Sequence, residues 1–209
     1  MSKGMKIFLG IIAVLFILGF MVYSSLTKTY NNIVKQDINI NKSWAQVQNQ
    51  YQRRADLIPN LVATVKGYAA HEKGTLEAVV QARASATRPQ INIDPGKLLQ
   101  NPQLFQQFQN AQNQLSGALG RLLVTIEKYP DLKANANFIR LQDQLEGTEN
   151  RIAVERRRFN QAVAQYNESI RTFPTVLFAG MFGFQQRPYF QAAEGAEKAP
   201  KVDFSSGSR

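Results

Sequence analysis

The stretch Tyr30 to Tyr51, YNNIVKQDININKSWAQVQNQY, decides the fold. In it Tyr30, Ile33, Asp37, Ile40, Trp44, Val47 and Tyr51 recur at alternating spacings of three and four. Side chains so spaced return to one face of a helix, and a sustained stripe of this kind packs in a helical bundle. Downstream, a second stripe runs Ile58, Leu61, Val65, Tyr68, Leu76, Val79, and a third runs Leu104, Phe108, Ala111, Leu115, Ala118, Leu122, Ile126. A fourth runs Phe138, Leu141, Leu145, Ile152, Phe159, Val163, Tyr166, Ile170. The alternating apolar and polar runs that mark strands are absent from this body.

Upstream of the first stripe, Ile7 to Thr27 contains no charged residue, and IFLGIIAVLFILGFMV (Ile7 to Val22) is almost wholly aliphatic or aromatic. As a helix the uncharged run measures about 31 Å, enough to cross a bilayer core. Lys3 and Lys6 precede it and Lys28 follows it. A cleaved signal peptide is the competing reading. The apolar run exceeds the usual signal length, no small-residue cleavage pattern ends it, and helix-compatible sequence continues past it, so an uncleaved anchor over residues 1–27 is expected. Lys3 and Lys6 face Lys28, Lys35 and Lys42 in a near tie. A basic N-terminus kept inside then places the body on the non-cytoplasmic side.

Proline and glycine punctuate the stripes at Pro59, at Arg88-Pro89 through Asp94-Pro95-Gly96, at Tyr129-Pro130-Asp131 and at Phe173-Pro174. The expected helices therefore cover about 28–55, 58–86, 101–128 and 133–172, near-equal segments that suit an up-and-down four-helix bundle over residues 28–172. Pro59 admits two readings. The stripe keeps its phase from Tyr51 to Ile58, which fits one long helix kinked at the proline. A turn there is preferred, because folding back buries two stripes that an extended helix leaves wet.

Composition narrows the chemistry. The 209 residues carry 25 Lys+Arg against 15 Asp+Glu, a formal net charge of +10, which points to an anionic partner such as a phospholipid surface or nucleic acid. With no Cys there are no disulfides, thiol nucleophiles, zinc ribbons or lipidated N-terminal cysteine. His71 is the single histidine, so the paired Glu-x-x-His motifs of a di-iron bundle cannot be supplied. His71-Glu72 does not continue into the zinc-protease pattern, since Thr75 stands where the second His belongs. No phosphate-cradling glycine motif or nucleophile elbow occurs. No metal or cofactor is expected, and the protein is read as a non-enzyme. Arg151 and Arg156 to Arg158 spread around a helix with acids between them, which argues against a nucleic-acid partner. The Gln-rich stretch Gln100 to Gln114 carries apolar residues at helical spacing and reads as a solvated helix face.

The string RRADLIPNL (Arg53 to Leu61), followed by Val65-Lys66-Gly67-Tyr68 and His71-Glu72, is unusual. Together with Tyr30-Asn31-Asn32, the later YPDLKANANFIRLQDQLEGTENRI, Phe182-Gly183-Phe184 and Pro188-Tyr189-Phe190, it closely resembles the LemA family over nearly the whole chain. The resemblance implies a single-pass bacterial membrane protein built as a bundle of long helices, without an established enzymatic activity. On physical grounds Arg53, Arg54, Asp56, Pro59 and Asn60 form a candidate interaction or structural motif, read first as an ion-pair cluster fixing the turn between the first two helices. In the fourth helix a partly buried Glu155 is expected to pair with an arginine from another helix.

In an up-and-down bundle the fourth helix returns to the membrane. Residues 173–191 then present Phe173, Val176, Leu177, Phe178, Met181, Phe182, Phe184, Tyr189 and Phe190 either to lipid or a partner, with Arg187 available to anionic headgroups, or to the open end of the bundle as a core cap. Residues 192–209 are small and polar and read as a mobile tail. The expected function is a non-catalytic scaffold or adaptor positioning a protein partner at a bacterial inner membrane, with a further copy of the chain among the candidate partners. The alternative is a membrane-shaping or peripheral lipid-binding protein acting through basic faces and the aromatic segment.

Overall fold

A computed structural model describes residues 3–192, except for the side chains of residues 89–92. Of the expected tail, everything beyond Ala192 lies outside the described residues. The chain is all-α, a bundle of long helices: α1 (Lys3–Tyr68), α2 (Lys73–Asn92), α3 (Pro95–Gln100), α4 (Pro102–Ile126), α5 (Pro130–Lys133) and α6 (Ala136–Arg171). A short turn of 3-10 helix, Thr175–Leu177, follows, and no strand occurs among the described residues.

The expected turn at Pro59 is not there. One helix runs through the proline to Tyr68, and the chain reverses over residues 69–72. Proline offers no N–H to the carbonyl four residues back, here Ala55, so an unassisted helix would leave that acceptor open. Arg83 of α2 fills the gap, its Nε donating to Ala55 O at 2.7 Å. The reversal falls instead between Gly67 and Gly74, where weak helix formers bracket the corner. Likewise α2 does not stop at residue 86 but continues past Pro89 to Asn92.

The other punctuation starts helices. Asp94 accepts from Lys97 N at 3.2 Å with Pro95 leading α3, and Asn101 accepts from Gln103 N and Leu104 N at 3.0 and 3.1 Å with Pro102 leading α4. Asn135 does the same for α6 through Asn137 N and Phe138 N at 2.9 and 3.1 Å. Each is a short polar side chain closing open N–H groups, twice with proline where no N–H is needed.

The chain divides into two compact units, both threaded by α1 and α6. The first comprises residues 1–51 and 148–187. Its buried stripe on α1 is Ile33, Ile40, Trp44, Val47 and Tyr51, and on α6 it is Ile152, Phe159, Val163, Tyr166 and Ile170. The Trp44 and Phe159 rings meet edge to face at 5.7 Å, while Asp37, two turns earlier on α1, meets Arg187 beyond the end of α6. The two helices are therefore antiparallel.

The second unit comprises residues 52–147 and the segment from Pro188. Here the end of α1, then α2, α4 and the start of α6 alternate in direction. Ala55 meets Arg83, Ala86 meets Gln112, and Tyr68 at the end of α1 meets Asn135 at the start of α6. Ile58, Leu61, Val65, Leu76, Val79, Leu115, Leu122, Ile126, Leu132, Phe138 and Leu145 form one buried cluster.

Candidate functional site

The Arg53 to Asn60 motif separates into two faces of α1. Arg54 is buried to 1% exposure and reaches α4, donating to Ser116 Oγ at 2.8 Å and to Gln112 Oε1. Gln112 in turn donates to Ala86 O at 2.9 Å, so one buried chain of hydrogen bonds ties α1, α4 and α2. Asp56 faces solvent and accepts from Gln52 one turn earlier at 2.8 Å. Arg53, Pro59 and Asn60 are exposed, and Asn60 O accepts from Thr64 Oγ1 at 2.9 Å. The cluster expected to fix a turn is thus replaced by a buried arginine crossing between helices, because the helix does not turn there. Glu155 pairs with Arg158 of its own helix at 2.8 Å, in place of the expected partner from another helix.

A second pair of motifs meets at the α1–α2 corner. Tyr129 donates to Glu72 Oε1 at 3.0 Å, and Asn135 Nδ2 donates to Tyr68 Oη at 2.9 Å. The hydrogen bond to Glu72 holds the Tyr129 phenol above its ordinary pKa, since it stabilises the protonated form.

In the C-terminal segment, two side-chain amides grip the backbone in the same manner. Asn167 accepts from Arg187 N and donates to Arg187 O, both at 2.9 Å, within the first unit. Within the second, Gln109 accepts from Gln191 N at 3.1 Å and donates to Gln191 O at 2.7 Å. Each amide does what a neighbouring strand would do for an extended peptide. Arg187 bonds Asp37 at 2.7 Å and lies 5.9 Å from the Tyr166 ring centre, so it is engaged inside the fold and not free for headgroups. Burial pushes the Tyr166 phenol up, with the Arg187 charge partly opposing. Phe190 is buried against Phe105, centroids 4.9 Å apart, which makes it a core side chain of the second unit. Phe182 and Phe184 pack on Tyr30 at 5.2 and 5.5 Å, and Phe178 lies 6.0 Å from Phe182. Tyr189 is exposed.

Removing one amide tests the grip. Asn167→Ala should lower stability by about 1–2 kcal/mol and strip the Arg187 amide of hydrogen-exchange protection while leaving that of Gln191 intact. Unchanged protection at Arg187 would show that the Asp37 ion pair suffices.

Among the described residues no group of three or more His, Asp or Glu side chains gathers as for a metal ion. The second unit carries an open groove of about 430 Å³ between α1 and α2, lined by Val62, Ala70, Leu76, Val80 and Ala84, with Lys66, Lys73 and Glu77 at its rim. Lys73 and Glu77 approach to 3.8 Å.

Sequence reasoning missed Arg83, Gln109, Gln112 and Asn167. The Gln-rich stretch reads as a solvated face, yet Gln109 and Gln112 are 2% and 4% exposed. A signal existed: Gln112 lies four residues after Phe108 and three before Leu115, and Asn167 four after Val163 and three before Ile170. Both therefore occupy apolar stripes, where a polar residue must find a partner.

Comparison with known proteins places these motifs in a lineage. The chain is 26% identical over 206 residues to magnetosome protein MamQ 2 of Paramagnetospirillum magneticum, covering 91% of this chain and 74% of that one. It is 27% identical over 203 residues to magnetosome protein MamQ of Magnetospirillum gryphiswaldense, with the same coverage. Protein LemA of Metamycoplasma hominis is 24% identical over 164 residues, 78% of this chain and 69% of the relative. The family model for LemA matches residues 43–204, a span that contains the Arg54 crossing, the Tyr129 corner and both amide grips, and the chain belongs to the LemA family.

Proposed function

We propose that the chain is a non-catalytic, membrane-anchored helical scaffold that holds a protein partner at a bacterial membrane. The observation that carries this reading is the unbroken course of α1. Its first third is long and apolar enough to cross a bilayer, with none of that stretch buried, and the same helix passes without a turn into the packed stripe ending at Tyr51. From Thr27 to Tyr51 the helix rises about 36 Å, a continuous stretch on which the first unit is packed. The buried Arg54, Gln109, Gln112 and Asn167 all bond other segments of the chain, which suits a framework. In this reading the body lies outside the cytoplasm, with Lys3 and Lys6 inside.

The groove along Val62, Ala70, Leu76 and Val80 suits the apolar stripe of a partner helix, and Lys66 and Lys73 at its rim favour carboxylates beside that stripe. Photo-cross-linking in intact cells through a reactive side chain at Val80 tests this, with exposed Val124 on α4 as comparison. One stoichiometric adduct at Val80, mapped to an acidic amphipathic helix, is expected. Equal yields at both positions, or none at Val80, overturn the docking role. Release of the full chain by an alkaline membrane wash overturns the anchor, and activity of a periplasmic reporter fused after residue 209 reads the sidedness.

A further inference from the structure

We infer that the loop over residues 173–184 beds in the headgroup layer of the same bilayer that α1 crosses, inserting Phe173, Val176, Leu177 and Met181. The inference rests on the anchored reading of α1 and adds a second lipid contact to it.

Four observations within the first unit converge. The first is charge: from Thr172 to Gln186 no residue is ionisable to a charged form near neutrality, and Arg171 and Arg187 bound the run. The second is position. Because α6 runs antiparallel to α1, its end brings the loop to Tyr30, where Phe182 and Phe184 pack on the ring, and the chain then turns back along α1 to pair Arg187 with Asp37. Tyr30 lies three residues beyond Thr27, about 4.5 Å along the helix. The headgroup layer on each side of the hydrocarbon is roughly 5–8 Å thick, so the loop is level with it.

The third is form. The loop is closed by its own backbone: Val176 N bonds Thr172 O at 2.9 Å, Ala179 N bonds Thr175 O at 2.9 Å, and Phe184 N bonds Ala179 O at 3.0 Å. Gly183, at φ 75°, supplies a left-handed step that other residues adopt with strain. Thr175 and Ala179 turn inward, while Phe173, Leu177 and Met181 stand 79%, 68% and 84% exposed. A loop held by several of its own backbone bonds, with large apolar side chains outward, is suited to an interface and unfavourable in water. The fourth is the counter-charge. Arg187 is spent on Asp37, but Lys28 and Arg171 are exposed at the same level and can meet lipid phosphates.

A single spanning helix leaves the part outside the bilayer free to tilt. A second contact from the end of α6 restrains the tilt of the α1–α6 pair against the bilayer. Phe182 and Phe184 then hold the loop to α1 through Tyr30, and Phe178 supports Phe182 from within the loop.

The chain contains no cysteine, so single Cys variants of the full protein can be labelled uniquely with an environment-sensitive fluorophore after reconstitution in vesicles of phosphatidylglycerol and phosphatidylethanolamine. Three positions are compared: Met181→Cys in the loop, Val14→Cys within the span and Ile38→Cys, exposed on α1 about 16 Å beyond Thr27. Spin labels near the headgroup should quench Met181→Cys, those near the acyl-chain ends should quench Val14→Cys, and only aqueous iodide should quench Ile38→Cys. If Val14→Cys is quenched by lipid while Met181→Cys behaves as Ile38→Cys, the anchor stands and the interfacial loop is wrong. If Met181→Cys is shielded from both iodide and lipid labels, a protein covers the loop and the inference also fails. If Val14→Cys escapes lipid quenching, the anchored reading itself falls and takes the loop with it.

Discussion

Arg54→Ala should destabilise the chain by about 3 kcal/mol, read as a lowered urea midpoint at unchanged slope. The side chain is buried to 1% and donates to both Ser116 and Gln112 on α4. Truncation removes charge-assisted bonds and strands the Gln112 carbonyl inside the fold while its amide remains committed to Ala86 O. A loss of that size is a large share of the total for a domain stable by about 5–15 kcal/mol. Arg54→Lys should recover little, because one ammonium cannot reproduce the forked geometry that serves two acceptors. A loss below about 1 kcal/mol for Arg54→Ala would mean that water replaces the guanidinium, and the arginine would then not be the link between α1 and α4.

The contrast between Arg54 and its neighbours shows what the sequence could and could not reveal. Helix content and the stripes were legible, since Ile33, Ile40, Trp44, Val47 and Tyr51 are buried as their spacing requires. The helix starts near 101 and 133 were legible only approximately, and the capping side chains Asn101 and Asn135 went unremarked, although short polar residues at a boundary serve the open N–H groups wherever the chain goes next. The corner was not legible. Pro59 is a helix breaker by local rules, and only a residue 24 positions later, Arg83, makes it tolerable. Local propensity loses to tertiary context at that point. The aromatic segment was legible as a place of contact but not residue by residue. Phe190 and Tyr189 are adjacent and equally aromatic, yet one fills the core beside Phe105 and the other is exposed. An extended backbone sends neighbours to opposite sides, and which side is inside depends on where Gln109 grips the chain.

The Pro59 passage can be tested as a coupling. In the native chain Arg83→Met should cost about 2 kcal/mol, the loss of a charge-assisted bond to a carbonyl that has no other helical donor. Pro59→Ala returns an N–H at the position that bonds Ala55 O in a regular helix and removes the ring that crowds it. In that background Arg83→Met should cost much less, giving an interaction energy of at least about 1 kcal/mol in the double-mutant cycle. Additive effects would mean that Arg83 acts only by packing against α1, and the unbroken helix would need another cause. The sign of Pro59→Ala alone carries further meaning. If Pro59→Ala stabilises the fold, the proline is retained at a cost that Arg83 only partly offsets. An exposed proline that lowers stability would then owe its place to something other than the fold's stability, at a point of α1 close in sequence to Val62 of the groove.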